Sequence, residues 1–115
     1  MKLAVIGSRV LTKIVVDEYV SDDVDEIVSG GAKGVDSLAK DFALRKGIKF
    51  TEFLPNYNLY GRAAPIKRNQ EMAEYADEVL AFWDGSSKGT AHTVRFFERL
   101  GKRARVVVIK AADRR

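Results

Sequence analysis

Short runs of β-branched and aliphatic residues recur along this chain, and each is set off by polar or glycine-bearing turns from segments with apolar residues three and four apart. The runs occupy residues 2–7, 26–29, 48–54, 78–83 and 105–109. Their apolar positions are largely consecutive rather than alternate, which suits strands covered on both faces, as in parallel sheets. Strands alternating with helical segments predict an α/β architecture. Right-handed crossovers leave few orders for five such strands. We expect one Rossmann-like three-layer domain, with a five-stranded parallel sheet in the order 3-2-1-4-5 and helices on both faces.

The intervening segments read as follows. Leu11, Ile14, Val15 and Tyr19 predict an amphipathic first helix, and the acidic stretch 21–25 a turn. Val35, Leu38, Ala39, Phe42 and Ala43 fall on one face of a second helix that stops at Lys46-Gly47. Residues 55–64 carry turn formers and two tyrosines without a period, and predict a surface loop. Pro65 suits the first position of a third helix running to about Ala76, with Ile66, Met72 and Tyr75 toward the core. A fourth helix is expected from Ala91 to Leu100, after an exit loop over residues 84–90.

At 115 residues the chain supports one hydrophobic core. The domain is expected over residues 1–110, with a basic tail over 111–115. No apolar run reaches the roughly 18 residues of a membrane span, and residues 2–7 are too short for a signal peptide, so a cytoplasmic location without membrane association is expected. The absence of cysteine and the single histidine, His92, argue against a disulfide or a structural metal, and we expect no cofactor. A net charge of +4 suits an anionic ligand and permits nucleic acid, although solvated surface accounts for most basic side chains.

In an open parallel sheet every strand-to-helix turn lies on one edge, so turns distant in sequence share one site. Three such turns carry Gly7-Ser8-Arg9, Ser29-Gly30-Gly31-Ala32-Lys33-Gly34, and Asp84-Gly85-Ser86-Ser87-Lys88-Gly89-Thr90. Glycines admit close approach and helix starts present unpaired N–H groups, as a phosphate requires. Hydroxyls from Ser8, Ser29, Ser86, Ser87 and Thr90 and charge from Arg9, Lys33, Lys88 or Arg68 complete an anion-selective edge. Neither GxxxxGK[ST] nor GxGxxG is present, which disfavours a P-loop enzyme or an ordinary dinucleotide site. Asp36, in the first turn of the second helix, either caps that helix or accepts from a ribose hydroxyl. Arg68 reads as a surface anion ligand, with Asn69 beside it for a hydroxyl or base edge. Tyr57 and Tyr60 are candidates to stack on a base, Trp83 is a core or wall residue, and His92 is exposed or capping.

The segment 29–44, Ser-Gly-Gly-Ala-Lys-Gly-Val-Asp-Ser-Leu-Ala-Lys-Asp-Phe-Ala-Leu, closely resembles the SGGARGID..AH..AL motif of DNA-processing protein A. Pro65-Ile66-Lys67-Arg68-Asn69-Gln70-Glu71-Met72, then Ala76-Asp77-Glu78-Val79-Leu80-Ala81-Phe82 and Gly89-Thr90-Ala91, is similar to the RNxxM…AD..iaF.gG.GTA pattern of the YspA-related branch of the SLOG superfamily, named for Smf/DprA and LOG. The resemblance runs from Ile6 to about Ile109 with its motifs in order. It implies a nucleotide-binding Rossmann-like domain, often a dimer or higher homo-oligomer, and places ligand roles on Gly7, Ser8, Arg9, Gly30, Gly31, Gly34, Asp36, Arg68, Asn69, Gly89 and Thr90. The LOG phosphoribohydrolases carry PGGxGTxxE, whereas Thr93 stands at the glutamate position here and Asp84–Lys88 replace Pro-Gly-Gly. Cleavage of an N-glycosidic bond develops cationic character at the ribose, which a carboxylate stabilises and threonine does not. The leading expectation is therefore a sensor or carrier domain that binds a nucleotide or nucleotide-derived phosphate, with its catalytic residues unknown. The alternatives are a nucleoside-monophosphate hydrolase using Asp36 or Asp84, and single-stranded nucleic-acid binding by analogy with DNA-processing protein A.

Overall fold

In Lys2–Gly7 (β1), Leu3 and Val5 pack into one core cluster and Ala4 into another, so both faces of the strand are buried. The computed structural model describes residues 1–8, 14–31 and 34–109. Glu26–Ser29 (β2), Lys49–Glu52 (β3), Glu78–Trp83 (β4) and Arg103–Val108 (β5) complete an all-parallel sheet ordered β3-β2-β1-β4-β5. The α/β Rossmann-like architecture and its strand order are those the sequence predicts. β5 starts two residues before the expected strand and β3 is confined to the centre of the expected one.

Each face has its own cluster. On one side Leu3, Val5, Ile27, Leu80 and Phe82 pack against Val35, Ala39, Phe42 and Ala43 of helix Val35–Lys46 (α1), with Val16 alongside. On the other, Ala4, Val28 and Val79 meet Met72, Ala73 and Ala76 of the segment carrying helix Ala64–Tyr75 (α3), and Phe97 of helix Lys88–Arg99 (α4). Alanines here let α3 lie close to the sheet. Burying a phenylalanine such as Phe82 or Phe97 contributes about 2–3 kcal/mol. Lys102, just before β5, donates from Nζ to the carbonyls of Ala73, Glu74 and Ala76 at 2.7–3.0 Å, satisfying the last turn of α3.

Four expectations need correction. Within the expected loop 55–64, residues 57–64 are helical: helix Tyr57–Tyr60 (α2) is capped by Asn56, whose Oδ1 accepts from the Leu59 N–H at 3.1 Å, and the turn Gly61–Ala63 leads directly into α3. A helix of four residues is too short to leave a period in the sequence, so only the cap signals it. Ile66 is 48% exposed rather than in the core, because the sheet-facing side of α3 is taken by Asn69, Met72 and Ala73. α4 begins at Lys88, since Ser87 caps it by accepting from the Thr90 N–H. Of the predicted first helix, the described residues hold a 3-10 turn, Val16–Tyr19. Leu11 and the tail 111–115 lie outside the described residues. α1 ends as expected, with Gly47 at φ 67° donating to the carbonyls of Ala43 and Leu44.

Gly7 closes β1 where α1 crosses over it. A Cβ there would stand 2.5 Å from Val35 Cγ2 and 2.9 Å from the Phe82 carbonyl oxygen. Gly7→Ala is therefore expected to lower the unfolding free energy by about 1–3 kcal/mol, the usual cost of overpacking, read as a shift of the urea midpoint at unchanged slope.

Candidate functional site

The carboxyl-terminal ends of β1 and β2, with the start of the helix that follows β4, enclose a cleft of about 300 Å³, at the point where the sheet order turns from β2 on one side of β1 to β4 on the other. Its walls are Val5, Ile6 and Gly7 from β1, Ser29-Gly30 after β2, Asp36 from α1, Pro65, Arg68, Asn69 and Met72 from α3, and Ser87, Gly89, Thr90 and Thr93 around the start of α4. Four segments far apart in sequence meet there.

Asp36 occupies the mouth of α1. One of its carboxylate oxygens accepts from the Gly31 N–H at 3.1 Å and from the Ser29 hydroxyl. Asp36 therefore binds the turn before α1 rather than capping the helix, and it lines the cleft. Burial, then the nearby carboxylate of Glu52, raises its pKa to about 6. Glu52 escaped notice in the sequence, although parallel register places it beside Ser29 at the same sheet edge.

The glycines of this turn are explained first by the protein itself. A Cβ on Gly30 would lie 3.2 Å from Arg68 Nη1, and the Gly30 carbonyl accepts from that same nitrogen. Gly31 has φ 80° and would bring a Cβ within 2.7 Å of Leu54 Cδ2, and Gly34 has φ 81° where α1 begins. Arg68 is half-buried, which corrects its reading as a surface residue, and its Nε donates to Asn69 Oδ1 at 2.7 Å. Asn69 is itself buried. Together they tie the first turns of α3 to the end of β2.

The loop after β4 is organised by Asp84. Its Oδ1 accepts from the N–H groups of Ser86 and Ser87, both at 2.9 Å, and these bonds hold its pKa at about 2. Ser8 joins this loop to β1 by accepting from the Asp84 N–H at 3.2 Å. Gly89 and Thr90 then fall in the first turn of α4, where helix geometry leaves the N–H groups of Lys88 and Gly89 without intrahelical acceptors. Thr93, in place of a glutamate, is buried and donates to the Gly89 carbonyl at 2.9 Å.

Of the residues singled out in the sequence, Gly7, Ser29, Gly30, Asp36, Arg68, Asn69, Ser87, Gly89 and Thr90 line the cleft. Ser8, Gly31, Gly34 and Asp84 support its rim without lining it, and Arg9 and Lys33 lie outside the described residues. Tyr57 is exposed, Tyr60 lies 5.7 Å from Lys67 Nζ, and neither lines the cleft. Trp83 donates to the Ser87 carbonyl at 3.0 Å, and His92 is exposed on α4. The apolar wall of Val5, Ile6, Pro65 and Met72 was not anticipated as part of a site, because such residues are indistinguishable in sequence from ordinary core.

Sheet order and cleft together define a Rossmann-like α/β domain with a polar crevice at its switch point. No protein-family model, curated protein or solved structure matches this chain. Among the described residues no helix is long and apolar enough to cross a membrane, and no group of three or more histidine, aspartate or glutamate side chains is placed to hold a metal ion.

The raised pKa of Asp36 has a thermodynamic consequence. In the unfolded chain it ionises near 3.8 and in the folded one near 6. Between those values the folded state holds a proton that the unfolded state has lost, so this group's contribution to stability falls as pH rises through the window. Asp36→Asn retains an acceptor oxygen for Ser29 and Gly31 without the charge. Calorimetry should find its melting temperature close to that of the unmodified chain near pH 4 and above it at about pH 7.5; a gap that narrows with rising pH would refute the assignment.

Proposed function

We propose that the cleft binds a nucleotide or a nucleotide-derived phosphate, as the ligand site of a sensor or carrier domain. The observation that carries this reading is the polarity of the crevice. At one end the open first turn of α4 offers the N–H groups of Lys88 and Gly89 beside the Thr90 hydroxyl, and the positive end of a twelve-residue helix dipole. At the other end stands the Asp36 carboxyl, an acceptor suited to ribose hydroxyls. Arg68 supplies positive charge between them, and the apolar wall suits the face of a base. A volume of about 300 Å³ accommodates one such ligand.

One observation favours a second reading. Asp36, with its pKa near 6 and its place in the cleft, is a carboxyl able to give a proton close to neutrality, as hydrolysis of a nucleoside monophosphate would require. Asp84 lacks both properties: it is held ionised by its own loop and does not line the cleft. Chromatographic detection of free base from a panel of nucleoside monophosphates, abolished in Asp36→Asn, would establish this reading. No release at millimolar substrate would exclude it.

Gly89 gives the cleanest test of binding. It lines the cleft, a Cβ on it would meet nothing within 4 Å, and its place in the first turn of α4 favours an acidic side chain. Gly89→Asp should keep or raise the melting temperature of the free protein while removing the thermal shift given by nucleoside mono- and diphosphates and ADP-ribose. A shift that survives this substitution would move the phosphate away from α4.

A further inference from the structure

α3 and α4 pack side by side, and between their outer surfaces lies a second concavity, of about 190 Å³, lined by Ile66, His92, Arg95, Phe96 and Arg99. None of these residues lines the cleft described above. His92, Arg95 and Arg99 are exposed, and with Lys88 one turn earlier they recur at four, three and four residues, so they share one side of α4 over about 16 Å. Ile66 is 48% exposed, an aliphatic side chain left out of both core clusters. Phe96 is half-buried, with the Arg99 guanidinium 5.8 Å from its ring.

This groove carries positive charge. No carboxylate lines it, and neither Arg95 nor Arg99 forms an ion pair with a described residue. The neighbouring acid on the same helix, Glu98, lines the adjacent groove with Trp83 and Val106, which Arg95 also borders. An apolar floor under a cationic rim is a poor fit for water and for a second copy of the same face, whose arginines would be brought together. It complements a segment with carboxylates around one aliphatic side chain.

We propose that the outer α3–α4 face is a docking surface for an acidic protein segment that seats an aliphatic anchor against Ile66 and Phe96 while its carboxylates meet Arg95, Arg99 and His92. The concavity favours a peptide over a flat anionic membrane. The Phe96 ring, already covered by Arg99, offers no open platform for a nucleic-acid base. The surface is independent of what the cleft binds.

The test uses the full chain and a fluorescein-labelled peptide of about 16 residues, with glutamates along one side and two leucines a helical turn apart, followed by fluorescence anisotropy. Saturable binding is expected, weakened about tenfold or more by Arg95→Glu with Arg99→Gln, and by exchange of the peptide leucines for serine. Melting temperatures of the variant confirm that it is folded. Absence of binding at low salt would overturn the proposal. So would binding indifferent to the leucines, or preference for a single-stranded oligonucleotide. Sedimentation showing a dimer that Arg95→Glu dissociates would overturn it in favour of self-association.

Discussion

The Asp36 carboxylate both closes the turn before α1 and lines the cleft at the sheet edge. At the start of α1 it accepts from the Gly31 N–H and the Ser29 hydroxyl, closing the turn that carries the chain from β2 into the helix. A carboxylate at a helix amino terminus is ordinarily stabilised by the helix dipole. Here burial and the neighbouring Glu52 outweigh that gain, and the group is driven toward its protonated form. The Asp36 bonds go to the turn and not to the first N–H groups of α1, which has no side-chain cap. At the other helix start on this edge, α4, Asp84 takes the loop's N–H groups and Ser87 takes that of Thr90, while those of Lys88 and Gly89 have no intrahelical acceptor.

Arg68 gives the crevice its third side. A guanidinium bound to the Gly30 carbonyl and to Asn69 fixes α3 against the β2 turn, so its charge is positioned before any ligand arrives. Preorganisation of this kind lowers the ordering cost of binding an anion. It also makes Arg68 structural: removing it would leave the Gly30 carbonyl and the buried Asn69 amide short of a partner as well as removing a charge.

The sheet was legible in the sequence because its strands are apolar on consecutive positions and its turns are marked by glycine. That parallel logic alone brings Gly7, Gly30 and Gly89 to one edge. What the sequence misjudged was the reason for the glycines. Gly30 reads as room for a phosphate and is room for Arg68; Gly31 reads the same way and is required by φ 80° and by Leu54. A motif records that a side chain is excluded without recording what excludes it. Short helices were illegible for a different reason, since the four residues of α2 hold barely one turn and only Asn56 announces it. Glu52, which sets the acidity of Asp36, was hidden because a two-strand register rather than a local pattern places it there.

α4 shows how one helix can serve three tasks without conflict. Its first turn opens on the cleft, Phe97 is fully buried against the sheet, and His92, Arg95 and Arg99 face outward beside α3. At 3.6 residues per turn these surfaces diverge around the axis, and only Thr90 and Thr93 are both buried and at the cleft wall. Thr93 satisfies its hydroxyl on the Gly89 carbonyl one turn back, which keeps this stretch of the wall uncharged beside the first turn of α4. The residue that weakens the case for glycosidic cleavage therefore also strengthens the case for holding an anion at this helix.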